Sequence, residues 1–143
     1  MTPNDAEFTP EERAAMKDRA REARRARSGK ASDPAADFDA AIRALHGGEG
    51  AIATRLAALI AEHAPTLTTR TWYGMPAWSL GGKVLCFFQP ASKFKARYST
   101  LGFQDVAHLD DGGMWPTSFA LTALGPEEED TVIDLLRRAV PRT

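Results

Sequence analysis

Residues 77–89 have the sequence AWSLGGKVLCFFQ. Two apolar segments of strand length flank a Gly81-Gly82 pair, which is typical of a two-residue β-hairpin turn. The stretch therefore predicts two strands, at residues 77–80 and 84–89. Strands joined by so short a turn must be antiparallel, because a parallel connection needs a dozen or more residues. An antiparallel hairpin is thus the framework from which the rest of the fold is inferred.

Two further strands are predicted after this hairpin. Residues 93–100 alternate strictly, which places Lys93, Lys95 and Arg97 on one face of a strand and apolar or aromatic side chains on the other. Residues 117–123 predict the fourth strand. Together the four strands form an antiparallel meander, preceded by a bend at residues 72–76.

Helices are predicted on both sides of this meander. Asp33-Pro34 begins one, a second starts near Glu49, and Gly125-Pro126 begins the last, each with apolar residues at helical spacing. Helices followed by a meander and a final helix are typical of an α+β domain with its helices packed on one sheet face. The other face, which carries the predicted basic residues, is then either solvated or covered by a partner.

The N-terminal residues 1–33 form a separate unit. Thr9 is a good N-cap, Pro10 suits the first helical position, and Glu12 completes a capping box. The helix that they predict is rich in charges and alanine, so it buries little and either docks lightly or projects. Residues 1–33 are therefore interpreted as a charged helical arm and linker, and residues 34–143 as the α+β domain. The arm also offers a surface for pairing with a second subunit.

The length, net charge and cysteine content of the chain disfavour several classes of binding partner. The chain has 143 residues, which suits one domain, and a net charge of −1, which gives no strong attraction to DNA or anionic lipid. The acids of the arm offset its arginines, which disfavours nucleic acid as a partner. No apolar run is long enough for a membrane span. The single cysteine, Cys86, permits no intrachain disulfide, so a cytoplasmic protein is expected.

Several segments resemble the YdhG-like family of small bacterial proteins, most of which have no known function. The resemblance covers roughly residues 36–140 and includes the sequence WYGMPAW at residues 72–78, of which YGMP at residues 73–76 is the most specific part. The GGK hairpin, the strand at 84–89, FKARY at 94–98, MWPT at 114–117 and the closing helix also carry it. The resemblance implies a non-enzymatic binding protein. One branch of the family is a frataxin-like iron chaperone, so it also implies an iron carrier with iron-accepting proteins as partners.

Iron would require carboxylates and sometimes imidazole. Two groups of residues offer such ligands. The first consists of Glu127, Glu128, Glu129 and Asp130, and the second consists of His108, Asp110 and Asp111. Each group also has a purely structural interpretation. Acids in the first turn of a helix complement its dipole, and an Asp-Asp-Gly sequence is typical of a turn.

An anionic small molecule is the alternative ligand. Lys93, Lys95 and Arg97 would bind its charge, and the aromatic side chains that could form a stacking wall are Trp72, Tyr73, Trp78 and Trp115. The structural alternative is a solvated strand face with rings in the core. A third hypothesis is a regulatory or nucleic-acid-binding module that acts through the arm. No catalytic motif is present, and Cys86 lies among apolar residues that are typical of a buried, inert thiol.

Overall fold

The computed structural model describes residues 8–28 and 33–141. Its elements, in chain order, are α1 (Pro10–Ser28), α2 (Pro34–Arg43), α3 (Gly47–His63), β1 (Thr68–Trp72), β2 (Met75–Leu80), β3 (Lys83–Gln89), α4 (Ala91–Phe94), β4 (Ser99–Phe103), β5 (Ser118–Leu121) and α5 (Pro126–Ala139). The predicted α+β class is confirmed. The predicted linker lies mostly outside the described residues, and so do the first seven residues.

The sheet is an antiparallel meander of five strands in the order β1-β2-β3-β4-β5. Four strands were predicted, and the additional one is β1. Its alternate residues face the same side of the sheet, so Arg70 and Trp72 lie on one face. This face is the one opposite to the main core.

The β1–β2 and β2–β3 hairpins both close through two-residue turns with positive φ angles. Gly81 and Gly82 have φ angles of 58° and 82°, which confirms the predicted turn. The β1–β2 turn is built in the same way from Tyr73 and Gly74, whose φ angles are 52° and 76°. A non-glycine residue is disfavoured in this conformation, so other contacts must hold Tyr73 in place.

The core lies between one sheet face and the helices α2, α3 and α5. Trp78 is 2% exposed and meets the ring of Phe38 edge-on at 5.2 Å, which joins the sheet to α2. Phe88 and Cys86 are fully buried on the same face. The helices add their buried apolar residues, which are Leu56, Leu59, Ile60, Val132, Leu135, Leu136 and Ala139.

A β-bulge interrupts the pairing of β2 with β3. Trp78 pairs with Cys86, but the next residue, Ser79, pairs with Val84, so Leu85 has no partner in the register. A bulge re-aims the side chains next to it. Leu85 is buried together with Cys86, while Ser79 lies beside the β1 edge.

The predicted strand over residues 93–100 is wrong. Residues 91–94 form the short helix α4, Lys95 follows in the left-handed conformation with φ 52°, and β4 begins only at Ser99. The cause is a distant residue, because the Glu49 carboxylate accepts hydrogen bonds from the backbone N–H and the hydroxyl of Ser92 at the start of α4. Lys93, Lys95 and Arg97 therefore do not share a strand face.

The arm helix α1 is confirmed, together with its capping box. The Thr9 hydroxyl accepts from the Glu12 N–H at 3.0 Å, and the Glu12 carboxylate accepts from the Thr9 N–H at 3.2 Å. The helix docks on the domain, and Ala15 is only 4% exposed. In the described part of the chain, no helix has the length and apolar content to cross a membrane.

Candidate functional site

The N-terminal helix α1 holds the β1–β2 turn. One carboxylate oxygen of Glu22, Oε1, accepts a hydrogen bond from the backbone N–H of Gly74 at 3.3 Å. Asp18 packs directly on the same glycine, where an added Cβ would clash with Asp18 Oδ2. The Arg19 guanidinium lies 6.0 Å from the ring centre of Tyr73. These contacts explain how Tyr73 keeps its disfavoured backbone conformation.

Two of the three predicted anion-binding residues are paired with acids of α1. Lys93 Nζ lies 2.9 Å from Asp18 Oδ2, and Lys95 Nζ lies 3.0 Å from Glu11 Oε1. Arg97 instead lies over the ring of Tyr98, 5.4 Å from its centre. Lys93 and Lys95 thus dock the helix, whereas Arg97 does not contact it through an ion pair in the described structure.

The predicted aromatic residues divide between the two sheet faces. Trp72 lies with Tyr73 and Phe87, with ring centres 4.9 and 5.2 Å away, on the face that α1 approaches. Trp78 is buried in the core on the other face, and Trp115 is half-buried against that core. Trp72 and Tyr73 therefore remain available for a site near α1, whereas Trp78 is not accessible.

Beside Trp72 lies a cleft of about 300 Å³, called here the cationic cleft. Arg19 from α1, Arg70 from β1 and Lys83 from β3 all line it, and Gln104 and Asp105 add polar groups. Over residues 8–28 and 33–141, none of the three cations forms an ion pair with a carboxylate. Arg70 is anchored by a hydrogen bond of 3.0 Å from its Nε to the carbonyl oxygen of Thr71.

A second cleft of about 350 Å³ lies next to it and is called here the polar cleft. The two clefts share Arg70 and Gly82. The other residues that line the polar cleft are Glu22, Pro34, Asp37, Thr68, Thr69, Thr71 and Ser79. Glu22 Oε2 and Ser79 Oγ are shielded from solvent and have no hydrogen-bond partner among the described residues.

Sequence reasoning missed these clefts because their residues come from separate elements. Arg19 and Glu22 are on the arm, which was treated as a separate unit, and β1 was not predicted as a strand. One signal was present. Residues 68–72 are rich in the β-branched residue Thr, which favours a strand, and assigning them as one would have placed Arg70 and Trp72 on one face.

Two of the four predicted metal ligands of the last helix, Glu128 and Glu129, have structural partners. The Glu128 carboxylate accepts from the Gly125 N–H at 3.0 Å, which caps α5. Glu129 forms a bidentate ion pair with Arg55, with N–O distances of 2.7 and 3.0 Å, and the hydrogen bonds from Arg55 lower the Glu129 pKa. Glu127 and Asp130 are exposed.

The second predicted metal group, at residues 108–111, lies in the segment before β5. His108, Asp110 and Asp111 are exposed there. Among the residues that the structure describes, no three His, Cys, Asp or Glu side chains come together in a way that could hold a metal ion. Iron binding at these positions remains a prediction.

The chain matches no family model, no curated protein and no solved structure. The resemblance to the YdhG-like family therefore remains a prediction based on the motifs.

Proposed function

We propose that this protein is a small-molecule-binding domain whose ligand carries an anionic group, held in the cationic cleft. One observation carries the proposal: Arg19, Arg70 and Lys83 line one cleft, and none has a carboxylate partner in the described structure. Like charges that share a cleft repel one another, so an anion that enters it gains favourable interactions with all three.

The chemistry of the cleft favours a phosphate or a carboxylate. Arginine presents a planar set of N–H donors that matches both groups. Arg70 is additionally fixed by its bond to the Thr71 carbonyl, so less side-chain freedom is lost when it binds. Asp105 lines the same cleft and offsets one positive charge, which leaves the site net positive.

Trp72 adds an apolar wall to the cleft. Its ring is supported by Tyr73 and Phe87, so it keeps a fixed orientation. A volume of about 300 Å³ is at the lower end of the range for small-molecule sites. The ligand that fits best is therefore small, anionic at one end and able to pack on an indole ring.

The iron-carrier hypothesis has no comparable support, because no described group of acids or histidines could hold the metal. It remains a prediction that rests on the family resemblance.

Calorimetric titration of the full chain with phenyl phosphate and with benzoate tests the proposal, with phenol as the neutral control ligand. We expect saturable binding of the anions, and a loss of about tenfold or more in affinity for Arg70→Gln, as for a charge-assisted hydrogen bond. Added salt should also weaken the binding.

Arg137→Gln is the matched control variant, because it removes the same charge from α5, which lines neither cleft. Its affinity should equal that of the unmodified protein. Two results would contradict the proposal: no saturable heat with either anion, or equal losses in Arg70→Gln and Arg137→Gln.

A further inference from the structure

The geometry points to the polar cleft as a binding site for an organic ammonium group, and hence to a zwitterionic ligand that occupies both clefts. This inference rests on the proposed function, since it assigns the anionic end of the same molecule to the cationic cleft. The ammonium end would lie against Glu22 and Ser79.

The first observation is the carboxylate of Glu22. Its Oε1 accepts from the Gly74 N–H, but Oε2 is shielded from solvent and has no partner in the described part of the chain. A buried carboxylate oxygen without a donor is costly, and such atoms in folded proteins nearly always have one. A ligand that donates a hydrogen bond at this position removes the cost.

The second observation is independent and comes from the sheet. Ser79 is 2% exposed, and its hydroxyl has no partner among the described residues. Its backbone carbonyl is already engaged, because the Thr68 hydroxyl donates to it at 3.4 Å. The bulge at Leu85 sets the register of Ser79, which lines the cleft.

An ammonium group fits this environment better than a single water molecule or a metal ion. The cleft of about 350 Å³ greatly exceeds the roughly 30 Å³ that one water molecule occupies. Its lining holds two acids, Glu22 and Asp37, against one base, Arg70, yet no described set of three ligands could hold a metal. An ammonium group donates up to three hydrogen bonds, and the cleft offers carboxylate and hydroxyl oxygens to accept them.

Helix α1 sets the separation between the two charges of the ligand. It supplies Arg19 to the cationic cleft and Glu22 to the polar cleft. These residues are three apart, which is about 5 Å along a helix axis. Arg70 lies between the clefts as a shared wall. So short a separation suits an amino acid or an aminoalkyl phosphate rather than an extended peptide.

The test compares aminoalkyl phosphates of increasing chain length with alkyl phosphates of the same lengths, titrated into the full chain by calorimetry. Alkylamines without phosphate form a third series. At one chain length, the amino compound should bind about tenfold or more tightly than its alkyl counterpart. Glu22→Gln should abolish this gain because it removes the carboxylate charge, while the glutamine amide oxygen can still accept from the Gly74 N–H and so keep the turn in place.

Ser79→Ala provides a second variant that does not depend on the charge of Glu22. It removes an unpartnered buried hydroxyl, so its thermal unfolding temperature should equal or exceed that of the unmodified protein. The difference in affinity between the amino compound and its alkyl counterpart should nevertheless be smaller in Ser79→Ala than in the unmodified protein. A variant that is merely destabilised would instead show a lower thermal unfolding temperature together with weaker binding.

The outcomes separate this inference from the proposed function. Equal binding of the amino and alkyl series would overturn the zwitterion inference and leave the anion site intact. A gain that persists in Glu22→Gln would overturn it as well. Binding of alkylamines that requires Glu22, without any binding of alkyl phosphates, would support an ammonium site in the polar cleft but would overturn the proposed function and, with it, the zwitterionic ligand. Failure of all three series would overturn both.

Discussion

The ammonium group of Lys93 lies 2.9 Å from the carboxylate of Asp18, although the two residues are 75 positions apart in the sequence. The pair joins α1 to α4 and lies directly over Gly74. Both side chains are about one quarter exposed, so water screens the pair only in part. It is therefore one of the polar contacts that hold α1 on the domain.

A double-mutant cycle on Asp18→Ala and Lys93→Ala should reveal this link. We expect a coupling of about 0.5–1 kcal/mol in the free energy of unfolding, which falls as salt is added. Hydrogen exchange at the Gly74 amide should also become faster in each variant. The exposed pair Asp134 and Arg138, within α5, is the matched control and should couple more weakly. Zero coupling between Asp18 and Lys93 would contradict the docking role.

Gly74→Ala should destabilise the protein more than Gly82→Ala. Both glycines have positive φ angles, 76° and 82°, so each variant has a similar backbone cost of about 1–2 kcal/mol. At Gly82 the added Cβ meets nothing within 4 Å, whereas at Gly74 it displaces Asp18 and Lys93. Denaturant unfolding measures both variants. Equal losses in the free energy of unfolding of the two variants would mean that α1 is not packed closely against the β1–β2 turn.

Glu129→Gln should lower the thermal unfolding temperature at neutral pH by a few degrees at most, because the Arg55 pair is solvent-accessible. Arg55 lowers the folded-state Glu129 pKa below its ordinary value of 4.5. The stabilisation is therefore fully present above pH 4.5 and is lost as the pH falls through the lower folded-state pKa.

The difference between the unmodified protein and Glu129→Gln should consequently shrink in acid. Calorimetric melts over a series of pH values measure it. Asp130→Asn removes a neighbouring exposed carboxylate and is the control. A difference that stayed constant from neutral pH into strong acid would argue against the ion pair.

Cys86 should be unreactive in the native protein. Its side chain is fully buried, and the loss of solvation raises its thiol pKa far above the ordinary value, so almost no thiolate forms at neutral pH. A disulfide reagent that is followed by absorbance should modify Cys86 only as the chain unfolds, and at once in denaturant. Rapid modification under native conditions would contradict this burial.

Local sequence patterns were sufficient to predict features that depend on contacts between residues close together in the sequence. The capping box of Thr9 and Glu12 involves residues three apart, and Gly81-Gly82 closes its own hairpin, so both could be predicted. The same approach failed at residues 93–100. There the chain forms α4 because Glu49, more than forty residues away, caps it, and no local pattern reveals such a contact.

The candidate clefts were beyond sequence reasoning for a similar reason. Arg19, Arg70 and Lys83 come from three elements that meet only after α1 has docked on the β1–β2 turn. The aromatic segment at residues 72–78 divides between the two sheet faces, because Trp78 on β2 lies in the core while Trp72 on β1 faces the cleft.

The attachment of α1 through polar contacts has a consequence for how this protein can diversify. None of its described residues belongs to the central apolar cluster, which comes entirely from later parts of the chain. Substitutions at the α1 positions that line the clefts can thus alter the chemical groups in the cleft walls while the packing of the interior stays intact. The chemistry of the clefts can therefore change by single substitutions, as long as the residues that dock α1, such as Asp18, are kept.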